Sequence, residues 1–158
     1  MNARQHLKDI ALTMGLPALD FDANGCARML FDGKVAVNFE TDEPAGQLHL
    51  YCDLGELPLR GREAVYRALL EANLFGVQTK GATLALDGSQ DQVVLSRSVL
   101  VEELSLSSFS EMLEGFVGCA EYWQQFMADG AGGASSASSG TAQGDFGQRP
   151  GAGPYMQV

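Results

Sequence analysis

The chain has 158 residues, of which 46% are hydrophobic and 19% charged, and its formal net charge is -10. This profile is typical of one globular domain and excludes an intrinsically disordered chain. The negative charge repels phosphate backbones and so argues against a nucleic-acid partner, and no basic amphipathic stretch indicates a membrane surface.

Apolar segments and cysteines indicate where the protein resides. No apolar segment follows the first charged residues and no long apolar run occurs, so neither a signal peptide nor a membrane-spanning helix is predicted. Cys26, Cys52 and Cys119 are an odd number without a CxxC pair, which argues against a disulfide framework and a zinc site. We therefore expect a cytoplasmic protein.

The first predicted element is an amphipathic helix over residues 2–14, with Asn2 as its N-cap and Gly15 as its stop. Its apolar stripe consists of Leu7, Ile10, Ala11 and Met14.

Three strands are predicted next. The pair Asp32-Gly33 predicts a two-residue hairpin turn within residues 29–37, because both turn positions need a positive φ. The following residues alternate between apolar and other side chains, and residues 47–53 form a third alternating segment. The apolar positions of these two strands are Val35, Val37, Phe39, Leu48, Leu50 and Cys52. The sheet is therefore predicted to be antiparallel.

The second predicted helix spans about residues 61–75 and carries two apolar stripes. One arc can cover a sheet and consists of Val65, Ala68, Leu69, Ala72 and Phe75. The other stripe consists of Tyr66, Leu70 and Leu74. It either meets another protein surface or packs against the last helix, in which case this helix is sandwiched between that helix and the sheet.

Two further strands, residues 82–86 and 92–100, are joined by a turn at 87–90. The last helix begins at Ser105 or Ser108 and keeps its apolar spacing to Met127, so it should pack along most of its length. From Gly130 the chain is rich in Gly, Ser and Ala, which predicts a folded domain over residues 1–129 and a disordered tail over 130–158.

No catalytic, cofactor or metal site is predicted. His6 and His49 have no neighbouring ligand residues, no glycine-rich phosphate loop occurs, and the acidic residues are scattered singly. A small enzyme would need a pocket with converging titratable groups, which the sequence does not indicate.

The helix-to-strand segment is the most specific motif. It reads LLEANLF at residues 69–75 and GATLALD at 81–87, and Gly15-Leu16-Pro17, Asp32-Gly33, Phe116 and Trp123 accompany it. Over about residues 3–128 these features resemble the class I chaperones of bacterial type III secretion, the Tir-chaperone or CesT-like family.

The resemblance implies an α+β protomer with the order helix-strand-strand-strand-helix-strand-strand-helix, a twisted antiparallel sheet and homodimer formation through the second helix and an adjacent strand. It implies no enzymatic activity and no cofactor. Such chaperones hold the N-terminal chaperone-binding segment of secreted virulence effectors extended and export-competent. They deliver it to the secretion apparatus, whose ATPase is a further candidate partner.

Two sets of site residues follow from the second stripe and the resemblance. The dimer interface is predicted at Tyr66, Leu70, Asn73, Leu74 and Phe75. Effector binding is predicted at Leu7, Ile10, Met14, Val35, Val37 and Phe39, which fit ordinary core packing equally well. An alternative function for the same fold is to sequester a transcriptional regulator or its antagonist.

Overall fold

The computed structural model describes residues 3–15 and 19–130 of the chain. The helices are α1 (Ala3–Thr13), α2 (Arg62–Ala72) and α3 (Leu106–Asp129). The strands are β1 (Cys26–Phe31), β2 (Val35–Asp42), β3 (Gln47–Glu56), β4 (Thr83–Asp87) and β5 (Gln92–Leu100). Short 3-10 turns follow α2 at Leu74–Gly76 and β5 at Val101–Glu103. This order confirms the predicted α+β protomer.

The five strands form one antiparallel sheet with the order β1-β2-β3-β5-β4. Alternation along β2 and β3 places their apolar side chains on one face, where they are buried together with residues of α1, α2 and α3. The opposite face carries Asn38, Glu40, His49 and Ser98, which are polar. The core therefore lies on one side of the sheet only.

The β1–β2 turn has the predicted geometry. Asp32 and Gly33 have φ values of 49° and 69°, and the Lys34 amide donates to the Phe31 carbonyl at 2.9 Å. β1 begins at Cys26, earlier than the predicted Met29, because Asp22 orders this end. The Cys26 amide donates to Asp22 Oδ1 at 2.9 Å, and the Asp22 amide donates to the Cys26 carbonyl at 2.8 Å.

Both candidate serines take part in the start of α3. Ser105 is the N-cap, and its Oγ accepts from the Ser108 amide at 3.1 Å. Ser108 Oγ in turn accepts from the Ser105 amide at 2.9 Å, so the two form a reciprocal capping box. The helix then buries apolar side chains from Phe109 to Trp123, which confirms the predicted packing.

The end of α2 differs from the prediction. The helix ends at Ala72 because Phe75 and Gly76 adopt left-handed conformations, with φ values of 57° and 66°. Val65, Leu69 and Ala72 are buried as predicted, but Phe75 is 90% exposed, so its assignment to the core arc is wrong. A helical wheel gives the direction of a side chain only where the backbone is helical, so it does not apply to Phe75.

Parts of the sequence prediction lie outside the described residues: the Asn2 cap, Leu16-Pro17 and the tail after Gly130. Within 3–15 and 19–130, no helix is both long and apolar enough to cross a membrane.

Candidate binding surfaces

Exposed apolar side chains cluster at the end of α2. We call this surface the α2 patch and define it as Tyr66, Leu70, Leu74, Phe75 and Val77. Leu74 is 64% exposed and all five have accessible side chains, so the alternative in which α2 is sandwiched between the sheet and the last helix is wrong. A cluster of this kind marks an interaction surface more strongly than a single exposed leucine does. The five predicted dimer residues include four of its members.

Val77, in the link between α2 and β4, is 72% exposed and does not belong to the stripe predicted on the helix. The available signal was Gly76, which can stop the helix and turn the next residue outward.

Asn73 makes two hydrogen bonds within the protomer. Its Nδ2 donates to the Leu84 carbonyl at 2.9 Å, and its Oδ1 accepts from the Leu84 amide at the same distance. The side-chain amide thus satisfies a backbone donor and acceptor as a neighbouring strand would. Asn73 joins α2 to β4 within the protomer, and its place in a dimer interface stays a prediction.

The rest of the link is held by backbone bonds and one arginine. The Gly81 amide donates to the Gly76 carbonyl at 2.9 Å, and Arg97 Nη1 donates to the Lys80 carbonyl at 2.7 Å. A Cβ on Gly81 would meet the Arg97 guanidinium at 3.4 Å, and Gly81 has a φ of 80°. The helix-to-strand motif is therefore a stiff junction that supports the α2 patch.

Replacement of Asn73 by Ala should lower the free energy of unfolding by about 1–3 kcal/mol, because both Leu84 groups lose their partner. Urea unfolding followed by circular dichroism measures this change. Asn38→Ala is the matched control, since Asn38 makes one longer bond, 3.4 Å to the Tyr51 carbonyl. Equal losses for the two variants would contradict a special role for Asn73.

The structure places the predicted effector-binding residues mainly in the core. Leu7, Ile10, Val35, Val37 and Phe39 are buried, so they offer no surface to a peptide in this conformation. Met14 is only partly buried and is accessible. Apolar periodicity identifies the face of an element that is covered, and in this protomer α3 and the sheet cover each other.

Among the described residues, open grooves lie on both sides of α3. The first, the Met14 groove, has a volume of about 360 Å³ and lies between Met14, the β1–β2 turn and α3. Its apolar lining is Met14, Phe31, Leu113 and Val117, and Asp32, Glu114 and Glu121 supply carboxylates.

The second groove, which we call the Lys80 groove, has a volume of about 350 Å³ and lies between α3 and the α2–β4 link. Its lining includes Gln78, Lys80, Cys119 and Tyr122, and Glu114 and Gly118 line both grooves.

The cysteines and histidines do not form a reactive centre in the described residues. Burial, together with Asp53, raises the pKa of the Cys52 thiol to about 11, and burial also raises the pKa of Cys26 and Cys119. Raised values keep these groups protonated, the less nucleophilic form. His49 Nδ1 lies 2.7 Å from Ser98 Oγ, and no cluster of three or more possible metal ligands occurs within 3–15 and 19–130.

These features define a class of protein. A one-sided α+β protomer with an exposed apolar patch and two open grooves is suited to binding other polypeptides. The sequence profile of the Tir chaperone protein (CesT) family matches residues 5–124. The chain belongs to this family.

Individual relatives support the same placement. The transcriptional anti-antiactivator ExsC of Pseudomonas aeruginosa is 28% identical over 121 residues, which cover 77% of this chain and 82% of ExsC. The ExsC–ExsE complex has a chain with a TM-score of 0.63 and 26% identity, covering 78% of this chain and 91% of that one. The HopA1–SchA chaperone–effector complex matches with a TM-score of 0.64 and 21% identity, covering 77% and 92%. This last likeness shows the fold alone.

Proposed function

We propose that the protein is a cytoplasmic type III secretion chaperone that binds the N-terminal segment of one or more effector proteins. The family match over residues 5–124 carries this proposal. The chaperone–effector complexes among the structural neighbours support it. The protein acts by binding, keeps the segment extended for export and catalyses no reaction of its own.

The proposed functional unit is a homodimer formed through the α2 patch. Burying its exposed leucines and Phe75 against a second copy removes apolar surface from water, which is the main driving force of association. Asn73 contributes by holding the patch against β4.

The free edge of β1 offers a place for an extended client. The amide and carbonyl of Cys26 point away from β2, because both bond to Asp22. In an antiparallel pair, the backbone amides and carbonyls of every second residue point away from the partner strand. Those of Arg28 and Leu30 therefore point outward as those of Cys26 do, and they can pair with an added strand. The other edge is closed at Leu84 by Asn73.

The test is titration calorimetry of the full chain with the N-terminal segment of each effector exported by the host's secretion system. A C-terminal segment of the same effector is the control. We expect saturable binding of at least one N-terminal segment and none of the control. If every N-terminal segment behaves like its control, the protein is not an effector chaperone.

A second candidate function is regulatory binding, in which the protein sequesters a transcriptional regulator or its antagonist. The similarity to ExsC, whose name describes an anti-antiactivator, favours it. Affinity purification from the native host distinguishes the two, since a regulator as the stoichiometric partner would support this candidate and an exported effector would support the first.

A further inference from the structure

Gly118 lies on the exposed face of α3 and has no side chain to project from it. The buried side chains of the helix, such as Phe116 and Ala120, face the sheet, and Gly118 lies on the opposite side. A Cβ built on Gly118 meets no atom within 4 Å, so the space above the helix is open. Gly118 lines both the Met14 groove and the Lys80 groove, so a chain that passes from one groove to the other can cross the helix at this residue.

The Met14 groove combines an apolar lining with unpaired carboxylates. Asp32, Glu114 and Glu121 form none of the ion pairs found in the described part of the chain. Glu114 accepts only a long hydrogen bond from Ser110 Oγ, at 3.3 Å. If a side chain of another polypeptide enters this groove, the residues next to it in that polypeptide lie close to the three carboxylates.

From this geometry we infer that a bound client segment crosses α3 at Gly118, places an apolar side chain in the Met14 groove and carries Lys or Arg beside that side chain. The inference rests on the proposed function and adds a chemical preference to it. Charge complementarity selects this occupant, because a basic residue pairs with Glu114, Glu121 or Asp32 while an acidic one is repelled.

The Lys80 groove gives the segment a direction. Lys80 offsets the charge of Glu114 on that side, whereas Asp32 and Glu121 line the Met14 groove without a counter-charge in its lining, so a basic client residue is favoured next to the Met14 groove. A segment that crosses at Gly118 therefore places its basic residue on the Met14 side of the helix.

The test uses three synthetic peptides of equal length that share one Leu, flanked by Lys, by Ser or by Glu. The full chain is isotope-labelled, and its amide resonances are followed during titration. We expect the Lys peptide to bind about five-fold more tightly than the Ser peptide, and the Glu peptide to bind most weakly. The largest shifts should occur around Gly118.

Two variants distinguish the effect of the crossing point at Gly118 from the effect of the groove carboxylates. Gly118→Leu fills the crossing point, and Leu is a better helix former than Gly, so the variant should fold. It should weaken all peptides by about ten-fold or more, because the Leu anchor loses its place. Glu121→Lys should weaken the Lys peptide alone, whereas Glu111→Lys, an exposed acid of α3 that lines neither groove, should leave binding unchanged.

Several results would overturn the inference. If the three peptides bind equally, the carboxylates do not select the client, and if Gly118→Leu binds like the unmodified chain, the segment does not cross there. If no peptide binds while an effector N-terminal segment does, the client lies elsewhere and the chaperone function stands. If Gly118→Leu changes only the association of two copies, this surface is occupied by the protein itself.

Discussion

Replacing Leu74 with Asp should convert the proposed homodimer into a monomer, raising the dimer dissociation constant by about 100-fold or more. Leu74 is 64% exposed in the protomer and belongs to the α2 patch. In a dimer formed there, the carboxylate would be buried without a partner, at a cost of several kcal/mol. The protomer itself should keep its stability because the substituted side chain is solvent-exposed. Sedimentation equilibrium over a concentration series measures the constant.

Leu12→Asp is the matched control for this substitution. Leu12 is 67% exposed and lies on α1, outside the α2 patch. We expect it to leave the dimer intact. If both variants remain dimeric, the α2 patch is not the interface, and if the unmodified chain sediments as a monomer at micromolar concentration, the dimer proposal fails.

Replacing Phe39 with Ala should lower the free energy of unfolding by about 3–5 kcal/mol. Phe39 is 1% exposed and packs among the buried residues of the sheet and helices, so its removal leaves a cavity. Denaturant unfolding measures the change. An effector segment should bind the folded fraction of this variant with normal affinity.

Leu30→Ala provides the comparison. Leu30 is on β1 and 62% exposed, so its truncation should change stability by no more than about 0.5 kcal/mol. A Phe39→Ala variant that is as stable as Leu30→Ala but no longer binds effector would show that Phe39 contacts the client, as predicted from the sequence.

Local signals in the sequence were sufficient for most of the fold. The Asp32-Gly33 turn, the serines before α3 and the apolar stripe of α1 each depend on residues close together in the chain, and the structure confirms them. Element order followed from these signals, because each marks where one element ends and the next begins.

The candidate surfaces depend on contacts between distant residues, which periodicity does not encode. The bonds between Asn73 and Leu84 join a helix to a strand, and the Met14 groove brings together α1, a hairpin turn and α3. Periodicity also cannot separate an apolar residue that packs in the core from one that lines a client groove. This is why five of the six predicted effector residues are buried.

The two edges of the sheet differ, and the difference limits how copies of the protein can aggregate. A sheet with two free edges can add strands at both sides and grow into a fibre. Here the Asn73 amide occupies the outward backbone groups of Leu84 on β4. If two copies paired along β1, the β4 edge of each copy would lack the Leu84 groups for adding a further strand. The Asn73 side chain that joins α2 to β4 therefore also removes one backbone pairing site from this edge of the sheet.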